Sequence, residues 1–129
     1  MGLHICHMAN KATEPRGEYV EVVNDGATAS PLTGNELTDY TATQQHAHIY
    51  RFPAQPSGEP ISLNPGQSAF VFSGYGEDAL DENGNWLLFA NRKAAVWNDD
   101  GDVAYLRHSN GELIDSLTVG HPKRHPNGH

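Results

Sequence analysis

The chain has one cysteine among its 129 residues, Cys6, so no internal disulfide can brace it. The core must hold by burial alone. Basic side chains are scarce as well: 8 Lys and Arg stand against 16 Asp and Glu, a formal net charge of −8. That balance disfavours nucleic acid, where lysine and arginine must neutralise phosphates, and anionic membrane surfaces. Apolar runs are short, and none approaches the roughly 20 residues needed to cross a bilayer. The opening residues 1–7 (MGLHICH) lack a basic region followed by an apolar stretch, so no signal peptide is read. The expected location is the cytoplasm or an assembled particle, unless the chain is part of something longer. Helical periodicity is missing too, since no window repeats apolar residues at 3.6-residue spacing. Neither a Gly-x-Ser-x-Gly elbow nor a Gly-rich phosphate loop is present. No catalytic residue is therefore assigned, and no small-molecule substrate is expected.

What the sequence does contain is short apolar segments divided by turn residues. Gly 13 and Pro 8 supply frequent breaks. Residues 3–8 (LHICHM) alternate, which places Leu3 and Ile5 on one face and His4 and Cys6 on the other. The same alternation would set His4 and His7 on opposite faces. Residues 18–24 (EYVEVVN) are rich in β-branched and aromatic side chains and stop at Asn24-Asp25-Gly26, a turn signal. Further strands are expected at 37–39, 46–53 and 68–73 (SAFVFS), and 86–89 and 94–97 are apolar patches around Arg92-Lys93. Residues 103–107 and 113–119 read as a hairpin around Ser109-Asn110-Gly111, and Asn64-Pro65-Gly66 as a tight turn. Strands broken at roughly 8–12-residue spacing indicate a β-sandwich or barrel. Most aromatic residues are expected in the core, Trp97 foremost. The domain should occupy residues 1–119, followed by a polar His/Pro-rich tail at 120–129.

The ordered motifs have a further meaning. EYVEVVN is followed by Leu32-Thr33-Gly34-x-x-Leu37-Thr38-Asp39 and then by His48-Ile49-Tyr50-Arg51-Phe52-Pro53. Next come Leu63-Asn64-Pro65-Gly66-Gln67-Ser68, the Ser73-to-Gly76 stretch (SGYG), VWNDDGDVAYL from Val96 and NGELID from Asn110. This series resembles the lamin tail domain family over nearly the whole chain, and is most similar to its bacterial and archaeal members. The resemblance implies an all-β, immunoglobulin-like β-sandwich with no shared catalytic residues. Animal members are interaction modules linked to protein and DNA binding, and the acidic balance here argues against the DNA part. One position departs from the pattern: Asn35 stands where the family usually has Trp. Tyr40 or Trp86 is expected to fill that space.

Several residues invite a chemical reading. His46 and His48 share one face of a strand and form half of a zinc site, which needs a third ligand. Read as packed or surface histidines, they need none. Cys6 lies on the face of His4, and the tail repeats His-Pro at His121 and His125 before ending at His129. Two acidic loops hold Glu77, Asp78, Asp81 and Glu82, and then Asp99, Asp100 and Asp102, an oxygen-rich composition that calcium favours. However, Trp86 occupies the place where an EF-hand loop needs glycine, and turn formation by Asp and Asn accounts for the same residues. No cofactor is expected, with a zinc or calcium ion as the alternative.

The expected function is a non-enzymatic protein-interaction module that uses the two open edges and end loops of a sandwich. The alternatives are a structural subunit of a virion, sheath or filament, and a metal-binding accessory domain. A protein partner or self-association follows from the first two. Protonation of all eight histidines would bring the formal charge from −8 to zero, and unperturbed histidine titrates at about 6.5. Light scattering should therefore be higher between about pH 5 and 6 than at about 7.5. A flat trace across that range contradicts this expectation.

Overall fold

A computed structural model of the chain describes residues 2–9, 19–38, 49–91 and 101–120. In β2 (Tyr19–Asn24) every second residue is buried: Val20, Val22 and Asn24 point inward, and Tyr19, Glu21 and Val23 are half-buried. This is the period of a strand with one face on a core. β1 (Leu3–Ala9) pairs antiparallel along one side of β2, and β7 (Ser68–Phe72) along the other. β9 (Trp86–Phe89) then pairs with β7 in parallel, and the two-residue β8 (Ala79–Leu80) lies antiparallel to β9 at the sheet edge. This five-stranded sheet has the order β1-β2-β7-β9-β8.

The second sheet has four strands. β10 (Gly101–Arg107) and β11 (Leu113–Gly120) form the expected hairpin. β4 (Glu36–Thr38) flanks β10, and β5 (Ile49–Arg51) flanks β4. A small third pair joins β3 (Ser30–Pro31) to β6 (Ser62–Leu63). The described residues are all-β, and the fold is the expected immunoglobulin-like sandwich. Among them no helix is long and apolar enough to cross a membrane. The segment 94–97, Trp97 and the tail from His121 lie outside the described residues.

Between the sheets the core is mainly aliphatic. Val20, Val22, Ala69, Val71 and Leu88 meet Leu37, Ala104 and Leu106, with Leu32, Phe52, Ile61 and Leu63 filling one end. Each such Val, Leu, Ile or Phe contributes on the order of 1.5–3 kcal/mol. The expectation that most aromatic residues are core is corrected here. Among the described aromatic residues only Phe52 is buried; Tyr19, Tyr50, Phe70, Phe72, Trp86, Phe89 and Tyr105 are half-buried. In SAFVF both alternating sets are apolar, and the compact Ala69 and Val71 take the inner face, where side chains from two sheets interdigitate.

Register corrects a second expectation. The pairing of β1 with β2 shifts between Ile5 and His7, so Cys6 is the extra residue of a β-bulge. His4 lies opposite Val23 and His7 opposite Glu21. Both histidines therefore stand on the outer face of the sheet. The inserted residue restores the alternation that brings Ile5 and Met8 into the core.

Asn24 is a turn signal in the sequence and a buried anchor in the fold. Its side chain is wholly shielded from solvent. Nδ2 donates to the carbonyls of Thr28 and Leu63, both at 2.8 Å, and Oδ1 accepts from the Gly26 amide at 2.9 Å. The backbone N–H of Asn24 donates to Gln67 O at 3.0 Å, and its carbonyl accepts from Gly66 N at 2.7 Å. Gly66 has φ +85° at the third position of the Asn64-Pro65-Gly66-Gln67 turn, a type II conformation that suits glycine. Asn24→Ala would remove the side-chain partner of three backbone groups, among them the buried Leu63 carbonyl, and should cost about 2 kcal/mol in urea unfolding. Asn24→Asp, which sets a carboxylate against two carbonyl oxygens, should cost at least as much. An unchanged midpoint in the alanine variant would contradict the role of the amide.

Candidate interaction surface

The outer face of the five-stranded sheet follows from the same parity that builds the core. Tyr19 lies opposite Phe72, and Glu21 opposite Phe70. Across the parallel pair, Phe70 meets Leu87 and Phe72 meets Phe89. The rings form a connected row across the strands. His7 and Tyr19 have centroids 5.6 Å apart, Tyr19 and Phe72 5.6 Å, and Phe72 and Phe89 stack at 5.0 Å with 19° between their planes. Tyr19 also meets Phe70 edge-on at 5.8 Å. Gly76 closes over the end of the row. A Cβ there would fall 2.7 Å from the Phe89 ring, so only glycine lets the loop lie against that ring. Beyond it, Tyr75 and Leu80 are 50% and 56% exposed.

Polar groups punctuate this apolar face. Glu21, half-buried, accepts a hydrogen bond from Ser68 Oγ at 2.7 Å. The Cys6 thiol lies 3.7 Å from the Glu21 carbonyl oxygen. Partial burial first, and then the Glu21 carboxylate, push the Cys6 thiol up to about 11. His4 Nδ1 lies 3.0 Å from Asp25 Oδ2 in an exposed pair, an arrangement worth about 0–1 kcal/mol.

The edges of the sandwich are less open than the sequence suggests. At the bulge, the Ile5 backbone N–H donates to Asp115 Oδ2 at 2.8 Å, which ties the β1 edge of one sheet to β11 of the other. β8 has two residues and β5 three. On β5, Arg51 donates from two nitrogens to Glu36 Oε2 on the neighbouring strand.

His46, His48, Asp99, Asp100, His121, His125 and His129 lie outside the described residues. Among the described residues no three His, Cys, Asp or Glu side chains form a group that could hold a metal ion. The first acidic loop is occupied with its own backbone. Asp81 Oδ1 accepts from Asn83 N at 2.8 Å and Asn85 N at 2.9 Å, and Asp78 Oδ1 accepts from Phe89 N at 2.9 Å. These backbone donors, Asn85 first, hold the Asp81 carboxyl below its usual range. Its contribution to stability is therefore present above the ordinary carboxylate value of about 3.9. It is lost as pH falls through the lowered one.

Asn35 lies beside a surface cavity of about 250 Å³ whose lining does not include Trp86. Trp86 instead packs against the core from β9. The expectation that it fills the space at Asn35 is thus corrected: Trp86 lies on β9 of the five-stranded sheet, whereas Asn35 lies in the turn just before β4 of the other sheet, and Tyr40 lies outside the described residues. On β5, Tyr50 shares the inward face of Leu37, and its hydroxyl is buried with no hydrogen-bond partner among the described residues. Burial, and then the Asp78 charge, push the Tyr50 hydroxyl well above the usual phenol range.

The outer aromatic row was missed by sequence reasoning, although its signal, apolar residues in both parities of SAFVF and WLLF, is in the chain. A family model described as Lamin Tail Domain matches residues 4–121. No curated protein matches the chain.

The raised Cys6 value gives a test of this surface. A thiol near 11 has roughly a hundredfold less thiolate at pH 8 than one near 9, partly offset by the higher nucleophilicity of the thiolate. Iodoacetamide should therefore modify Cys6 in the folded chain about tenfold more slowly than in urea. Glu21→Gln should recover part of the difference. Cys6 is exposed, so equal rates in folded and unfolded chain would refute the raised value rather than reflect blocked access.

Proposed function

Because this chain belongs to the lamin tail domain family, we propose that it acts as a non-enzymatic module that binds another protein. The observation that carries this reading is the aromatic row on the outer face of the five-stranded sheet, built from Tyr19, Phe70, Phe72 and Phe89. Aromatic side chains dominate the energetics of protein interfaces, because each brings a large contact area at small entropic cost. Two features favour docking on this face over strand addition at an edge. β8 and β5 are short, and the β1 edge is tied to β11 through Asp115. The net charge of −8 defines the complementary partner: an apolar contact patch with lysine or arginine at its rim.

Photo-crosslinking tests this reading. Benzoylphenylalanine placed at Phe70 should give adducts to another protein in extract of the producing cells, while the same group at Leu113 on the opposite sheet should not. The contacted peptides should be apolar with basic neighbours, and the adducts should diminish in high salt. Adducts joining two copies of this chain would establish a self-assembling subunit instead. Equal labelling from both positions would remove the outer face as the binding surface.

A further inference from the structure

The cavity at Asn35 opens at one end of the sandwich, away from the aromatic row. Leu3, Pro31 and Ile114 supply its apolar walls, and Ser30, Asn35 and His108 its polar groups. A cavity of about 150 Å³ lined by aliphatic and aromatic side chains takes up benzene, so about 250 Å³ has room for a larger ring. Asn35 is the informative side chain. It is only 9% exposed. Its backbone is held on both sides, with the N–H donating to Leu32 O at 3.0 Å and the carbonyl accepting from Phe52 N at 2.9 Å. Nδ2 makes one long contact of 3.4 Å to Pro31 O, and no donor among the described residues reaches Oδ1. Oδ1 is not sealed from solvent, so a ligand donor there would take the place of water while the rest of the amide stays shielded.

We propose that this cavity is a binding site for a planar ring carrying one N–H or O–H donor, of the indole or phenol type, with the donor meeting Asn35 Oδ1. The ring lies against Leu3, Pro31 and Ile114. Ser30 and His108, at the partly exposed and exposed rim, leave room for whatever the ring is attached to. A free small molecule and an aromatic side chain of a peptide carry the same chemistry. The site stands apart from the outer face of the sheet, so its test does not depend on the interaction proposed there.

Titration of the intact chain, followed by ¹H–¹⁵N spectra, tests the site with indole and its isostere benzothiophene, which lacks the N–H. Indole should bind saturably with Kd on the order of 0.1–1 mM, shifting the signals of Asn35 and Ile114. It should exceed benzothiophene by roughly three- to tenfold, the worth of one hydrogen bond. Asn35→Leu should erase or reverse that preference while retaining benzothiophene, a result that separates recognition from misfolding. Ile114→Trp, which fills the cavity, should abolish binding of both. A capped tryptophan peptide that binds like indole assigns the ring to a polypeptide, and one that fails while indole binds assigns it to a free small molecule. No saturable shift with indole, an unchanged preference in Asn35→Leu, or undiminished binding by a folded Ile114→Trp would each overturn the proposal.

Discussion

One buried amide joins parts of the chain that no strand pairing connects. Asn24 ends β2, yet its side chain spans the turn to Thr28 and reaches across to Leu63 on β6, while its backbone holds the turn at Gly66 and Gln67. The next residue extends the connection: the Asp25 N–H donates to Gly2 O at 3.0 Å. Gly26 packs so closely on Gly2 that a Cβ would fall 2.8 Å from the Gly2 nitrogen. The start of β1 is therefore set by the end of β2. Leu63 in turn pairs with Ser30. Gly2 and Ser30, which both line the cavity at Asn35, are positioned from this one anchor. An amide suits the position because it presents two donors and an acceptor without charge, and burying a charge there would be far more costly.

The two faces of the five-stranded sheet divide the apolar residues by size. Small and branched residues fill the space between the sheets, and the larger rings stand outside in contact with one another. A stack such as Phe72 on Phe89 adds stability of its own, on the order of 0.5–1.5 kcal/mol beyond area burial. It also leaves half-buried rings on the outer face of an acidic molecule.

Exposed strand edges invite uncontrolled pairing. Here the bulge at Cys6 turns the Ile5 N–H toward Asp115, so that β1 meets the second sheet. Among the described residues, the far edges of the two larger sheets are the two-residue β8 and the three-residue β5, which carries the Arg51–Glu36 pair. Recognition through a sheet face and through an end cavity is compatible with edges of this kind.

The class of fold was legible in the residues themselves. Alternation in EYVEVVN, the turn at Asn64-Pro65-Gly66 and the closing hairpin depend on local geometry, and the order of motifs identified the family. Three features required the tertiary structure. The inward set of SAFVF is ambiguous when both parities are apolar, and only the opposing sheet, with room for Ala69 and Val71, decides it. The bulge at Cys6 has no local signature, because it answers the register of β2, and it alone places His4 and His7 on the same face. Asn24 and Asn35 carry the same side chain. Their difference, one amide with every partner present and the other lining a cavity with no donor to its oxygen among the described residues, arises from segments far away in sequence. Local propensity determined which stretches become strands, whereas long-range packing decided which of their faces, and which of their polar atoms, remain available to a partner.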